Sequence, residues 1–350
     1  MILVSGGAGY VGSVLVRDLL RIGESVRVVD PQWFGNSLQP HSRLEIVRAE
    51  IDDLNAAALA NVDSVCHLSG LSNDPTAEFM PELALESNVW STRRLALALA
   101  EESERRQREI RFLFASSCSV YYSLNRAENG NVDRMTEEAH VAPGSTYSKS
   151  KRLAEIELLR IAERYPLFCP VLLRKGTIFG ISPRMRFDLV VNAFTLNAWR
   201  KQVLTVNGSG EAWRPLVHIQ DVVDAYIYLL SAPRSSVRGE VFNLLHKNYR
   251  VLELAHWVVE ILQEHRGVSI RVQRDRSASD GARSYYVDGH KLASRLGFRA
   301  ERGATSAVLE IWDALEQGQF GSEPERNDAY FNIRSLRSHG NAPKVKGAGS

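Results

Sequence analysis

The chain has 350 residues, 44% of them hydrophobic and 24% charged, as in an ordinary globular protein with one large core and a smaller lobe. Its 43 Lys and Arg and 41 Asp and Glu give a net charge of +2, so neither a nucleic acid nor a membrane is expected as a partner. The three cysteines, Cys66, Cys118 and Cys169, include no CxxC pair, and we predict neither disulfides nor a metal site.

The chain starts with a short apolar run that leads directly into a glycine-rich turn. No basic region or cleavage site precedes this run, which argues against a secretory leader. No apolar stretch approaches the ~20 residues that are needed to span a bilayer. We therefore expect a cytoplasmic protein.

Short apolar runs alternate with helical patterns through the first half of the chain. We predict strands at residues 2–5, 25–29, 45–47, 64–68, 112–115 and 170–173, and helices over residues 83–99 and 149–164. This alternation predicts an α/β fold with a Rossmann-type, doubly wound parallel sheet.

After about residue 180 the alternation weakens, which predicts a smaller α+β lobe. Helical patterns there cover residues 187–199, 222–230, 252–264 and 304–316, and residues 202–206 look extended. We assign residues 1–175 to the dinucleotide-binding domain, with residues 217–245 returning to it. The substrate-binding lobe takes residues 176–216 and 246–335, and residues 336–350 are expected to be a disordered tail.

Glycines recur every third residue between the first strand and the first helix. In the sequence GGAGYVG at residues 6–12, they permit a tight turn and let backbone approach a pyrophosphate. The N-terminus of the helix then presents free N–H groups to the phosphates. We predict that Gly6, Gly9, Tyr10, Val11 and Gly12 bind a dinucleotide.

Asp30 closes the second predicted strand, 18 residues after Gly12. This is near the ~20-residue offset at which a carboxylate binds the ribose 2′-hydroxyl, although a plain turn residue is the alternative. No Arg or Lys lies between Asp30 and Arg43, so the pattern favours NAD over NADP. Asp52, after the third strand, is a candidate for the adenine or simply part of a helix-capping turn.

Three side chains in a fixed order predict the chemistry. Ser117 ends the fifth strand, at the edge where doubly wound sheets bind ligands. Tyr147 and Lys151 follow on the next helix at i and i+4 and therefore share one face. A cation beside a phenol lowers its pKa, so that Tyr147 can take a proton from an alcohol while hydride leaves for a nicotinamide.

These motifs together resemble those of the extended short-chain dehydrogenase/reductases, in particular the NAD-dependent epimerase/dehydratase group that acts on nucleotide sugars. The resemblance covers about residues 1–315. It rests on GGAGYVG at 6–12, HLSG at 67–70, NV at 88–89, SSCSVY at 116–121, Tyr147 with Lys151, and WRPLVHIQD at 213–221.

The resemblance implies a role for each matching residue. It implies that Ser117, Tyr147 and Lys151 are the catalytic residues and that Lys151 also binds the nicotinamide ribose. Further cofactor contacts are implied for Leu68, Ser69, Gly70, Asn88 and Ser116, and substrate contacts for Ser117, Cys118, Thr177, Arg214 and Arg283. A homodimer built on helix 83–99 and the helix after Tyr147 is implied as well.

Departures from the family pattern bear on the substrate and on the reaction. Tyr122 stands where a glycine is usual, Thr177 replaces a common asparagine, and the register of Arg283 is uncertain. The Asp-Glu pair of the 4,6-dehydratases is replaced by Cys118 and Ser119, neither of which is a good acid for expelling water. We therefore expect a nucleotide-sugar epimerase. A keto-sugar reductase or dehydrogenase, a dehydratase, and a non-catalytic NAD sensor are the alternatives.

Overall fold

The structure is a computed structural model, and it describes residues 1–121, 134–277 and 284–338. The strands of this part of the chain are β1 (Ile2–Ser5), β2 (Val26–Val29), β3 (Leu44–Val47), β4 (Ser64–His67), β5 (Ile110–Ser117), β6 (Arg134–Met135), β7 (Phe168–Lys175), β8 (Thr177–Phe179), β9 (Val203–Asn207), β10 (Trp213–His218), β11 (Val241–Leu244), β12 (Lys247–Arg250), β13 (Arg271–Asp275) and β14 (Tyr286–Val287).

Helices occupy most of the intervening chain. They are α1 (Tyr10–Arg21), α2 (Ala56–Leu59), α3 (Asp74–Phe79), α4 (Pro81–Leu85), α5 (Ser91–Arg106), α6 (Thr146–Arg164), α7 (Val190–Lys201), α8 (Ile219–Ser231), α9 (Arg234–Val237), α10 (Val251–Arg266), α11 (His290–Leu296), α12 (Ala304–Glu316) and α13 (Asn332–Ser338). None of the helices in the described ranges is both long enough and apolar enough to cross a membrane.

A seven-stranded parallel sheet in the order β11-β7-β5-β4-β1-β2-β3 forms the large domain. Its central strands are apolar on both sides because helices cover both faces. Helices α1 and α8 share one core with the sheet, and α5 and α6 share the other. The predicted doubly wound α/β fold is confirmed, and the strand order reverses between β1 and β4, where such sheets bind ligands.

The predicted helix over residues 83–99 is three consecutive segments. Helix α4 runs into a π-helical turn, Glu86–Trp90, which continues as α5. Such a turn adds one residue to the helical repeat and commonly marks a functional region. Here it carries Asn88, fully buried, toward the first turns of α6.

The smaller lobe packs α7, α10 and α12 around its own apolar core. Its strands form the three-stranded sheet β12-β10-β8 and the parallel pair β13–β9. Helix α8 and strand β11 belong to the large domain, since α8 packs on α1 and β11 pairs with β7.

The end of the described chain departs from the predicted boundary. Residues 336–338 belong to α13 and not to a disordered tail, and residues 339–350 lie outside the described ranges. Leu336 packs with Leu71, Ala77 and Leu83 of the large domain. The chain therefore returns from the lobe to the large domain before it ends, which the composition of the tail did not reveal.

Candidate active site

A cleft of about 430 Å³ opens at the carboxyl ends of the central strands, between the large sheet and the lobe. Its volume lies within the usual range for a small-molecule site. Residues of β1, β4, β5, β7, β8 and β10, or of the turns that follow them, line it. It contains the residues that the sequence predicts for the chemistry.

The glycine turn forms one wall of this cleft, as the sequence predicts. Gly6 has a φ of +72°, which favours glycine, and a Cβ on Gly12 would lie 2.2 Å from the carbonyl oxygen of Gly6. Gly9, the N-cap of α1, provides no side-chain cap, so the first N–H groups of the helix are left for a ligand. Bare backbone and an uncapped helix N-terminus fit a dinucleotide pyrophosphate.

Tyr10 lines the cleft and also connects the glycine turn to the second lobe by hydrogen bonds. Its hydroxyl donates to the carbonyl oxygen of Gly180 at 2.6 Å and accepts from the Asn192 amide at 3.1 Å. Burial strongly raises the pKa of Tyr10, so it stays neutral. Its neighbour Val11 also lines the cleft.

Asp30 lines the cleft at the end of β2. Its carboxylate accepts the backbone N–H groups of Ala8 at 3.0 Å and Gln32 at 2.7 Å, and burial raises its pKa. The two bonds fix the carboxylate beside the glycine turn. The charge of Arg184 acts on it as well, so the sequence was misleading in suggesting that no cation lies near Asp30.

Leu68, Ser69 and Gly70 line the cleft after β4, but Asn88 does not. The Asn88 amide nitrogen donates to the Leu71 carbonyl at 3.0 Å and to the Ser150 hydroxyl at 2.9 Å, behind the cleft wall. The π-helical turn buries this side chain, which positions the wall and the start of α6, and its Oδ1 faces Gly70 of the cleft. The cofactor contact of Asn88 stays a prediction.

Asp52 does not line the cleft either. Its carboxylate forms two bonds with the Arg94 guanidinium, both 2.7 Å, and accepts the Ser91 hydroxyl at 2.8 Å. Asp52 thus forms an ion pair with α5, while its neighbours Ile51 and Ser91 line the cleft, and the adenine contact stays a prediction. Asn55 caps the following helix, so the capping alternative is wrong.

Ser117, Tyr147 and Lys151 meet in the cleft, together with the backbone of Ser116. A hydrogen bond joins Ser117 and Tyr147, and the Lys151 ammonium lies 5.9 Å from the centre of the Tyr147 ring. The N-terminus of α6 is fixed by reciprocal hydrogen bonds between Ser145 and Ser148. Strand β5 and the capped helix therefore hold the three predicted catalytic side chains from opposite sides.

Burial dominates the electrostatics of these groups. It raises the pKa of Tyr147, and the charge of Asp74 raises it further, while the Ser117 hydrogen bond lowers it. Burial also lowers the pKa of Lys151 to about 8, against the opposing effect of Glu155. The pKa of Tyr147 is therefore raised and not lowered as predicted, because the cost of desolvating the phenolate exceeds its stabilisation by the Lys151 charge.

Cys118 is turned away from the cleft, and its predicted substrate contact is wrong. Its side chain is fully buried with Tyr121, Tyr285 and Val287, and its thiol donates to the Arg174 carbonyl oxygen. Burial raises the thiol pKa, so this cysteine is inert. All three cysteines are buried as free thiols.

The remaining predicted substrate residues fall on the lobe side. Thr177 and Arg214 line the cleft, and the Arg214 guanidinium lies 5.8 Å from the centre of the Tyr285 ring. Arg283 and Tyr122 lie outside the described residues. No group of three or more potential metal ligands occurs within the described ranges.

The cleft also contains residues outside the predicted site. Two of them, Arg184 and Arg186 at the head of the second lobe, are candidates from the sequence for a phosphate contact or for plain solvent-facing cations. The residues outside the predicted site come from the loop after β2, the turn after β3, the end of β7, the segment after β8, the residue before β14 and the start of α13: Trp33, Phe34, Glu50, Lys175, Arg184, Arg186, Asp188, Tyr285 and Asn332. Arg184 donates to the Asn332 side chain at 2.7 Å, and its guanidinium lies 4.3 Å from the centre of the Phe34 ring. The sequence signals were the position of Lys175 next to the matched strand end and the two arginines, Arg184 and Arg186, at the head of the second lobe.

The model of the NAD dependent epimerase/dehydratase family matches residues 2–244. The chain belongs to this family. It is thus an enzyme of the nucleotide-sugar epimerase, dehydratase and decarboxylase type, and its cofactor is NAD. The residues of the cleft fit that cofactor, since the glycine turn and Asp30 stand where its pyrophosphate and ribose need them.

Similar proteins span several reactions. UDP-glucuronic acid decarboxylase 1 of Arabidopsis thaliana is 30% identical over 275 residues, 75% of this chain and 58% of the relative. The dTDP-glucose 4,6-dehydratase of Escherichia coli is 26% identical and covers 92% of this chain and 98% of the relative. MoeE5 in complex with UDP-glucuronic acid and NAD superimposes with a TM-score of 0.75 at 26% identity, over 91% and 99% of the two chains.

A UDP-glucuronic acid 4-epimerase from Bacillus cereus has the same fold, with a TM-score of 0.75 at 22% identity over 90% and 99% of the two chains. Since these relatives carry out different reactions on a shared framework, the framework alone does not select the reaction.

Proposed function

We propose that this enzyme is an NAD-dependent nucleotide-sugar epimerase that oxidises a sugar hydroxyl transiently and returns the hydride to the opposite face. The observation that carries the proposal is the neighbourhood of Ser117. Cys118 is buried, and Ser119 offers only a hydroxyl, so neither position next to Ser117 supplies the acid that water elimination needs. Reversible oxidation needs only the proton-transfer group and the hydride carrier.

Tyr147 is the residue that we assign to proton transfer. Ser117 holds the sugar oxygen, Tyr147 as phenolate takes its proton, and the C–H hydride leaves, which converts the alcohol to a ketone. NAD, when bound, supplies the hydride acceptor and then the hydride donor. After the keto sugar has turned in the cleft, Tyr147 returns the proton to the oxygen, so atoms and electrons balance over the cycle.

Lys151 provides the positive charge for the phenolate. Because burial raises the pKa of Tyr147, the phenolate requires cations beside it. Lys151 lies 5.9 Å from the ring centre, the charge of Arg186 also favours the phenolate, and the oxidised cofactor is itself positively charged at the nicotinamide. We infer that proton abstraction is confined to the cofactor-loaded, oxidised enzyme.

The substrate that we propose is a nucleotide sugar. Its supporting observations are the cationic Arg214 and the polar Thr177 on the lobe side of the cleft. The UDP-glucuronic acid and UDP-glucose complexes of MoeE5, at 26% identity, support the same class of substrate. The test described next identifies the nucleotide base and the sugar carbon that is oxidised.

The test is incubation of the NAD-loaded protein with UDP-, GDP-, dTDP- and CDP-sugars, with products resolved by chromatography and NMR. We expect one sugar to be converted to its stereoisomer without net NADH. Net NADH formation would establish a dehydrogenase, and turnover only with added NADH a reductase. Loss of water from the sugar would establish a dehydratase.

Tyr147→Phe separates an enzyme from a sensor. We expect turnover to fall by at least about 10²–10⁴-fold, the usual contribution of general acid–base catalysis, while NAD stays bound. Tyr165→Phe, at the C-terminal end of the same helix, is the matched control and should keep full activity. An unchanged rate in Tyr147→Phe would contradict the assignment.

A further inference from the structure

Lys175 is a basic residue of the cleft whose ammonium has no carboxylate partner within the described ranges. It ends β7, is half-buried and lines the cleft. Among the described residues, no carboxylate forms an ion pair with it, and its recorded contact is the Tyr226 ring, whose centre lies 5.6 Å from the ammonium. Burial, and secondly the charge of Lys151, lower the pKa of Lys175 to about 7.

The other cations near the reacting groups have partners. The charge of Glu155 stabilises the charged form of Lys151, and Arg186 forms a bidentate ion pair with Asp188. A desolvated ammonium is costly unless an anion compensates it. Since its pKa is near 7, an anion beside Lys175 would hold the amine in its charged form, and the carboxylates of the described residues do not pair with it. A ligand in the cleft is the source of that anion that we consider.

The cofactor is not a suitable source of that anion. Its pyrophosphate is expected at the glycine turn after β1, and β5 and β4 lie between β7 and β1. Three strand spacings amount to about 14 Å, which is beyond the reach of a lysine side chain. The oxidised nicotinamide ring is itself a cation.

The position of Lys175 points to the sugar. Strands β5 and β7 pair Ser117 directly with Lys175, and the Ser117 hydroxyl bonds to Tyr147. Lys175 thus lies beside the groups that act on the sugar hydroxyl. We assign the substrate diphosphate to Arg214 of β10, in the sheet of the lobe, and the experiment below separates these two anions.

We propose that the sugar of the substrate carries a carboxylate, as in a nucleotide-linked uronic acid, and that Lys175 binds this carboxylate as a specificity-determining residue. The inference rests on the proposed function, because it assumes a nucleotide sugar in the cleft. The inference goes beyond the proposed function because it names the chemical class of the sugar and the residue that selects this sugar.

The test compares matched pairs of ligands by calorimetry on the NAD-loaded protein: UDP-glucuronate with UDP-glucose, GDP-mannuronate with GDP-mannose, and UDP and GDP alone. In at least one pair, we expect the acid to bind about 10- to 100-fold more tightly than the neutral sugar, the effect of one charge-assisted hydrogen bond. Lys175→Met should abolish this difference and leave the affinity for the neutral sugar and the free nucleotide unchanged.

Two further variants test whether the positive charge at position 175 causes the effect. Lys175→Arg keeps the charge and should retain much of the preference, whereas Lys149→Met removes an exposed lysine of α6 and should change nothing. Equal weakening of acid, neutral sugar and free nucleotide in Lys175→Met would show a diphosphate contact and overturn the proposal.

Failure of the inference is distinguishable from failure of the proposed function. Neutral sugars that bind as well as acids, with stereoisomers still formed, would overturn only the role of Lys175. If no nucleotide sugar of any series binds, the proposed function fails together with the inference.

Discussion

His67 shows how a single buried group sets the pH dependence of stability. Its ring lies between the Ser5 hydroxyl at 2.6 Å and the Thr92 hydroxyl at 2.8 Å. Burial, and secondly the charge of Lys151, lower its pKa to about 3. The residue is thus a neutral hydrogen-bonding link between β1, β4 and α5.

The folded state loses stability as the pH falls because of this residue. Below a pH of about 6.5, the unfolded chain binds a proton at His67 that the folded protein excludes until the pH reaches about 3. At pH 5 this costs about 2 kcal/mol of unfolding free energy. Urea unfolding at pH 7.5 and pH 5 should therefore show a smaller loss in His67→Gln than in the wild type.

The exposed His265 of α10 provides the control for this measurement. His265→Gln should lose stability on acidification as the wild type does. Equal losses in His67→Gln and the wild type would show that other groups, such as the buried His218, control the acid response.

At the scale of elements, a buried ion pair joins β5 and α6, which carry the predicted catalytic residues, to β7, which carries Lys175. Glu155 of α6 accepts two bonds from Arg174 of β7, at 2.9 and 2.8 Å, and the Ser116 hydroxyl of β5 at 2.5 Å. Arg174 also donates to the Tyr121 hydroxyl at 2.7 Å. The pair lies directly behind Ser117 and Lys151 and holds their elements together.

Removing one partner of this pair leaves a buried charge without compensation. We expect Glu155→Ala to lower the unfolding free energy by about 3–5 kcal/mol, measured by urea unfolding. Glu102→Ala breaks an exposed ion pair with Arg105 on α5 and should cost no more than about 1 kcal/mol. Similar losses in the two variants would contradict the structural role that we assign to Glu155.

The same elements show what the sequence predicts well. The central strands and the long helices are recognisable because each buries one continuous pattern, and Ala304–Glu316 was predicted to the residue. The glycine turn, Ser117, Tyr147 and Lys151 lie within or next to such patterns. Their convergence in one cleft follows from the rule that parallel strands meet ligands at their carboxyl ends.

The differences between prediction and structure have physical causes that spacing does not reveal. Cys118 follows Ser117, but the 3₁₀ turn after β5 directs its side chain into a separate apolar cluster. Asn88 lies in a π-helical turn that a regular helical repeat does not predict. Arg184 and Asn332 reach the cleft only through the packing of the lobe and the last helix on the large domain, which local patterns do not encode.

At the scale of the whole molecule, large apolar side chains remain exposed on one side of the large domain. Phe79, Leu85, Trp90 and Leu153 are between 37% and 45% exposed, on α3, α4, the π-helical turn and α6. An exposed apolar surface of this kind on consecutive packed helices is typical of a protein interface. Because the surface is formed by the helices of the predicted homodimer contact, we propose that two copies of the chain pair through it.

Trp90→Glu tests this dimer. In a dimer that uses this surface, the new carboxylate would be buried in an apolar interface without a partner, which disfavours pairing of the two chains. We expect the wild type to sediment as a dimer at micromolar concentration in analytical ultracentrifugation, and Trp90→Glu as a folded monomer. Ile22→Glu is the matched control: Ile22 is 52% exposed at the end of α1, on the opposite face of the sheet, and its replacement should leave the dimer intact. A monomeric wild type, or a variant dimer as stable as the wild type, would show that this surface does not join two copies.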